Sequence, residues 1–187
     1  MGNQRVYLFL ADGFEEIEAL TPVDFLRRVG VPVTTVGVTG KTVVGAHGIS
    51  VAADVADEEA RELLEGGEAP AMVILPGGMP GAKNLDESPL VESFLKAALL
   101  NESYIAAICA APMILGKRGI LKGKKSVCYP GFEEYLTGAT ILETPAVRDD
   151  KIITGRAMGA ATAFALLLVS ALVGEEKAEE LSKGVLA

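Results

Sequence analysis

Cys109 lies in the segment Ala106-Ala107-Ile108-Cys109-Ala110-Ala111-Pro112, where an apolar, strand-like run ends on a thiol. Small residues stand two positions before and two after it. That is the spacing of a nucleophile elbow, in which small flanks let a strand and a helix pack closely while the central side chain projects from a strained turn. Pro112 suits a first helical turn, which tolerates a missing N–H. A thiol at a helix start feels unpaired N–H groups and the positive end of the dipole, and both favour thiolate and lower its pKa. The competing use of the same residue is a buried structural cysteine.

Other residues could serve that thiol. The loop Leu75-Pro76-Gly77-Gly78-Met79-Pro80-Gly81 sets two adjacent glycines between prolines, and it either aims an N–H at charge developing beside Cys109 or is simply a tight turn. It is not a phosphate loop: Lys83 is followed by Asn84, so the glycine-lysine-hydroxyl spacing is missing, as is any dinucleotide fingerprint. Ala19, Pro22, Val23, Phe25, Leu26 and Val29 share one arc of a predicted helix, and Glu18 projects between Phe25 and Val29 on it. A carboxylate there is out of place. Burial raises its pKa, so it can keep its proton and donate a hydrogen bond to a thiolate. Glu15 and Glu16 have a simpler explanation, because acids in a first turn complement the helix dipole.

His47, in Gly45-Ala46-His47-Gly48, is the single histidine, so a cysteine–histidine hydrolytic pair would have to use it. Its loop or hairpin setting favours a surface role. Cys128 precedes Tyr129 and Pro130 in a strand-like piece and reads as buried, or as a thiol that resolves an oxidised Cys109. Arg27, Arg28 and Arg156 either draw anionic substrates or form solvated, ion-paired faces.

These residues need a scaffold. Strands are predicted at Val6–Leu10, Val33–Val38, Met72–Leu75, Tyr104–Ile108 and Lys151–Thr154, with shorter ones at Thr42–Val44, Ile49–Ala52 and Ser126–Tyr129. Helices are predicted at Glu16–Val29, Asp57–Glu65, Pro89–Leu99, Met113–Lys117, Met158–Val173 and Glu175–Lys183. The alternation implies a three-layer α/β/α sandwich around a mostly parallel sheet. Ligands of such sheets sit at the carboxyl ends of the strands, which selects the loops Ala11–Glu15, Pro76–Asn84 and Cys109–Pro112.

Length and charge narrow the field further. The 187 residues suit one domain, residues 1–187. No apolar run reaches the roughly 18 residues of a membrane span. Met1-Gly-Asn-Gln-Arg leads straight into a strand pattern without signal-peptide features, so an intracellular, cytoplasmic protein is expected. Two cysteines without paired spacing and one histidine imply neither a disulfide framework nor a structural metal. A net charge of −8 opposes nucleic acid and anionic membranes, leaving small molecules or proteins as partners.

Taken together, Ala11-Asp-Gly-Phe-Glu-Glu-Ile-Glu-Ala, Pro22-Val-Asp-Phe-Leu-Arg-Arg, Leu75-Pro-Gly-Gly, Gly81-Ala-Lys-Asn-Leu, Ala106-Ala-Ile-Cys-Ala-Ala-Pro and Thr154-Gly-Arg resemble the ThiJ/PfpI superfamily. The likeness is nearest to the branch of the parkinsonism-associated protein deglycase and its bacterial relatives, and it spans nearly the whole chain. It implies a flavodoxin-like sandwich, akin to class I glutamine amidotransferases, and a homodimer without a cofactor. It also implies Cys109 as nucleophile, Glu18 as its protonated partner, backbone groups of Gly78 and Ala110 as the oxyanion pocket, and Arg28 as an anion-holding side chain. Two departures stand out. Tyr129 occupies a position where close relatives often carry histidine, and His47-Gly48 replaces an arginine expected near the partner subunit's site, so that His47 would stand in for it.

The resulting expectation is a cysteine-dependent enzyme acting on reactive dicarbonyls, aldehydes or early glycation adducts, of glyoxalase or deglycase type. Its rival is a non-catalytic redox sensor or stress chaperone in which Glu18 stabilises oxidised Cys109. A cysteine peptidase comes third and would need His47 to reach the thiolate.

Overall fold

The structure, a computed structural model, describes residues 5–67 and 69–187. Met1 to Gln4, on which the expectation of a missing leader rests, lie outside the described residues. In chain order the elements are β1 (Val6–Leu10), α1 (Glu16–Arg28), β2 (Val33–Gly37), β3 (Thr42–Val44), β4 (Ser50–Ala52), β5 (Val55–Ala56), α2 (Asp57–Glu65), β6 (Met72–Leu75) and α3 (Gly81–Asp86). There follow α4 (Pro89–Leu100), β7 (Tyr104–Ile108), α5 (Pro112–Lys117), β8 (Lys125–Ser126), β9 (Thr140–Ile141), β10 (Ala146–Asp149), β11 (Ile152–Gly155), α6 (Ala161–Val173) and α7 (Glu175–Val185).

Seven strands form the main sheet in the order β10-β11-β7-β6-β1-β2-β5, all parallel except the β10–β11 pair. Its core order β2-β1-β6-β7-β11 is the doubly wound flavodoxin-like arrangement, with the switch of direction between β1 and β6. Strand alternation supplies the two faces. Tyr7 and Phe9 of β1 meet Phe94 and Leu90 of α4, while Val6, Leu8 and Leu10 join the opposite cluster with Leu26 of α1 and Phe164 and Leu168 of α6. Every residue of β1, β6 and β11 is buried, as a parallel sheet covered on both faces requires.

Four expected strands are adjusted, among them Ile49–Ala52, which begins at Ser50. Lys151–Thr154 moves by one residue to Ile152–Gly155, and Val33–Val38 ends at Gly37. Ser126–Tyr129 shrinks to Lys125–Ser126. The last change has a cause at the site: the Tyr129 N–H leaves the ladder and donates to the Cys109 carbonyl at 2.8 Å. The apolar stretch ending at Val173 forms a 13-residue α-helix after a short 3-10 turn. Among the described residues no helix is long and apolar enough to cross a membrane.

Candidate active site

The switch between β1 and β6 brings the loops after these strands against each other. Glu15 N donates to the Gly77 carbonyl at 3.0 Å, and Gly81 N donates to that of Gly13 at 3.2 Å. Gly78 has φ +86°, a conformation that suits glycine, and an added Cβ there would meet the Gly13 carbonyl at 2.6 Å. No side chain fits between the two loops.

Cys109 directly follows β7 with φ +65°, a left-handed conformation unusual for a residue with a side chain. Its N–H donates to Gly155 O of β11 at 2.9 Å, and its carbonyl accepts from Tyr129 N. The strained turn is therefore held from both sides. Thr154 steadies the overlying segment, its buried Oγ1 accepting from Val127 N at 2.9 Å. The backbone N–H groups of Gly78 and Ala110 both point at the sulfur. A cavity of about 190 Å³, lined by Gly78, Met79, Cys109, Ala110, Tyr129 and Phe132, opens above it.

Glu18 reaches this turn from the first turn of α1 and is fully buried. Its Oε2 accepts the Gly77 N–H at 3.0 Å. Its Oε1 is buried and accepts no hydrogen bond from any described residue. A Cβ on Gly77 would lie 2.6 Å from both Glu18 Oε2 and Cys109 Cβ, so those two atoms are separated by at most twice that distance. Only glycine leaves room for the acid and the thiol to face each other here.

The electrostatics follow from this proximity. Burial raises the Glu18 pKa, and a neighbouring Glu15 charge adds to it; the thiol and the Gly77 N–H oppose them, and the balance stands at about 7. Cys109 is also raised, to about 12, by burial first and then by the Glu18 charge and the hydrogen bond to it, against the pull of the Gly78 and Ala110 amides. This corrects the expectation that the turn alone would acidify the thiol. Helix α5 starts only at Pro112 and spans six residues, so its dipole is too short to offset burial beside an ionised acid. The two groups form a dyad that sheds its first proton near 7 and its second only near 12. Between those values one proton serves both.

The remaining candidates lie elsewhere. His47 is exposed, with Nδ1 2.9 Å from Glu16 Oε2 and 3.4 Å from Glu15 Oε2. Glu16 Oε1 also accepts the His47 N–H at 2.8 Å, so this buried acid clamps the β3–β4 turn to the start of α1. The hydrogen bond that its ring donates to Glu16 raises the His47 pKa. Burial alone would raise Glu16, but His47 and the surrounding amides hold it below the usual carboxylate range. Ligand atoms of Glu15, Glu16 and His47 lie within 4.8 Å of one another, the spacing a metal could use, though Glu16 is already hydrogen-bonded in place. The imidazole is not part of the Cys109 cavity.

Arg28 sits at the far end of α1, ten residues and therefore about 15 Å from Glu18 along the helix, and it bonds Asp24 at 2.6 Å. Within one protomer the fold does not bring it to Cys109. Cys128 is a buried free thiol whose pKa burial pushes up to about 11. Met79, Phe132 and the Glu16 clamp escaped the sequence reading. The Gly77-Gly78 pair was its one available signal for close backbone approach, without showing that Gly77 accommodates the acid and Gly78 the loop.

The zebrafish (Danio rerio) "Parkinson disease protein 7 homolog" is 36% identical over 97% of this chain and 96% of its own. The Caenorhabditis elegans "glutathione-independent glyoxalase DJR-1.2" is 33% identical over 98% and 97% of the two chains. The crystal structure of Drosophila melanogaster DJ-1beta superposes with a TM-score of 0.90 at 33% identity, covering 98% of each chain. The family model described as DJ-1/PfpI family matches residues 4–171, and the chain belongs to that family.

Proposed function

We propose that the protein is a cofactor-independent glyoxalase acting on small α-oxoaldehydes, with Cys109 as nucleophile and Glu18 as proton carrier. The observation that carries the reading is the fully buried Glu18 facing Cys109 across Gly77, with one carboxyl oxygen that accepts no hydrogen bond from any described residue. An ionised carboxylate with an unsatisfied buried oxygen is unfavourable. A thiolate facing two amides carries the charge better, so the reactive form is carboxylic acid with thiolate.

For methylglyoxal, the Cys109 thiolate adds to the aldehyde carbon, and the resulting oxyanion takes the Glu18 proton to give a hemithioacetal. The Gly78 and Ala110 amides are suited to steady that oxyanion. The Glu18 carboxylate then removes the proton from the former aldehyde carbon, and the enediol is reprotonated at the neighbouring carbon. The product is a lactoyl thioester on Cys109. Water cleaves it, so methylglyoxal and one water become lactate and the thiol is restored. One carbon is oxidised as the other is reduced, and no outside electron carrier enters.

The C. elegans relative bears the name of a glutathione-independent glyoxalase, which supports the reading. The test is lactate formation from methylglyoxal by the wild type and Cys109→Ser. Loss of at least 10³-fold is expected, on the order of an activated nucleophile's contribution; an active serine variant contradicts the assignment.

A homodimer is part of the proposal. Ile17, Leu20, Val44 and Ile49 are exposed apolar residues, and the Glu16 clamp holds their elements side by side. Such a patch suits a second copy of the chain. Sedimentation is expected to give twice the chain mass, and Ile49→Glu to give the single mass; a wild type that sediments as one chain refutes this assembly.

A further inference from the structure

Arg156 is half-buried at the end of β11, next to the Gly155 carbonyl that accepts the Cys109 N–H at 2.9 Å. Arg27, Arg28, Arg61 and Arg118 each hold an Asp carboxylate at 2.6 to 2.9 Å. No described carboxylate pairs with Arg156. Its Nη1 makes one long bond, 3.3 Å to the Glu143 carbonyl, although a guanidinium offers five donors in a planar fork. In a chain of net charge −8, such a cation beside the nucleophile is notable.

It faces a second cavity, of about 420 Å³, whose walls include Tyr129, Pro130, Glu143, Pro145 and Ala157. Tyr129 also lines the Cys109 cavity, so the two spaces share a wall residue. Gly159 and Ala160, just before α6, also line it, and the first turn of that helix contains no acid. Its N-terminal potential is therefore not cancelled locally. Glu143 contributes the opposing charge, but its carbonyl faces the guanidinium.

We propose that this second cavity is a subsite for the carboxylate tail of a substrate whose aldehyde is attacked by Cys109, with Arg156 as the residue that selects it. This rests on the reading of Cys109 as nucleophile. Substrates of this class are α-oxoaldehydes with a carboxylate two or three carbons from the dicarbonyl. Methylglyoxal fills only the first cavity.

Two measurements test the subsite, and only one depends on turnover. The first compares kcat/KM for 4,5-dioxopentanoate and methylglyoxal in the wild type and Arg156→Gln. The wild type is expected to prefer the carboxylated compound, and the variant to lose about tenfold or more of that preference through KM, as befits a charge-assisted contact. The second compares alkylation of Cys109 by 4-maleimidobutyrate and N-propylmaleimide, with the modified residue located by mass. The rate ratio is expected to favour the charged reagent and to fall in Arg156→Gln. An alkylation ratio unmoved by the substitution overturns the subsite whatever the turnover. A ratio that moves in an enzyme inactive on both oxoaldehydes upholds the subsite and refutes the glyoxalase reading instead.

Discussion

Glu18→Gln is expected to lower lactate formation by 10² to 10⁴, the usual contribution of a positioned acid–base group, while changing how stability responds to pH. The dyad of Glu18 and Cys109 sheds its first proton near 7, whereas an ordinary glutamate does so at 4.5. Between those values the native carboxyl keeps a proton that the unfolded chain has released. Stability associated with this group is thus fully present below pH 4.5 and lost as pH rises through 7. The difference amounts to on the order of 3 kcal/mol. Glutamine cannot ionise. Its unfolding free energy is expected to stay flat across this window, so that the variant gains on the wild type as pH rises, and urea unfolding at pH 5 and pH 7.5 checks it. A wild type as stable at pH 7.5 as at pH 5 would place the carboxyl outside the buried dyad.

Gly77→Ala is the second large effect. A Cβ there would meet Cys109 Cβ and Glu18 Oε2 at 2.6 Å and the Ile108 carbonyl at 2.9 Å. All three belong to parts the fold holds tightly: a strained turn, a buried acid and a strand end. Relief requires moving the β6 loop away from β7, which separates the Gly77 N–H from Glu18 and the Gly78 N–H from the sulfur. Overpacking of this kind costs about 3 kcal/mol, and catalysis is expected to disappear even where the chain still folds. Gly184→Ala makes the matched control: the added methyl meets nothing within 4 Å in helix α7 and is expected to stabilise by roughly 0.5–1 kcal/mol. Thermal unfolding of both, with lactate formation, separates crowding at the site from the general effect of replacing glycine. Equal behaviour of the two variants would contradict the tight meeting of acid and thiol.

Strong apolar runs carried the fold in the sequence. β1, β6 and β7 lie between the residues expected, and so does α2, because buried parallel strands and an amphipathic helix leave dense local patterns. Among the short elements β3 lies where expected, but others left no such trace. Helix α3 begins with glycine after proline and resembles a loop, and β10 alternates too weakly over four residues to stand out. At the site, Cys109 was legible from its small flanks, and Glu18 from a carboxylate on an apolar arc. Glu16 was not. An acid in a first turn already has a local explanation, whereas its burial under the β3–β4 turn depends on residues some thirty positions away.

The same distinction explains the thiol. A sequence displays the turn, the amides and the nearby helix, all of which favour thiolate, but not the degree of burial or the closeness of a second acid. Those two raise both pKa values and turn a lone thiol into half of a shared-proton pair.

Which half carries the charge decides the chemistry, and the absorbance of the thiolate near 240 nm reads it directly, with Cys109→Ser as the blank. If Glu18 holds the proton while Cys109 carries the charge, the Cys109 thiolate signal is already present at neutral pH. A thiolate that stays absent until the solution is strongly alkaline, as the value of about 12 beside an ionised Glu18 would dictate, contradicts the account.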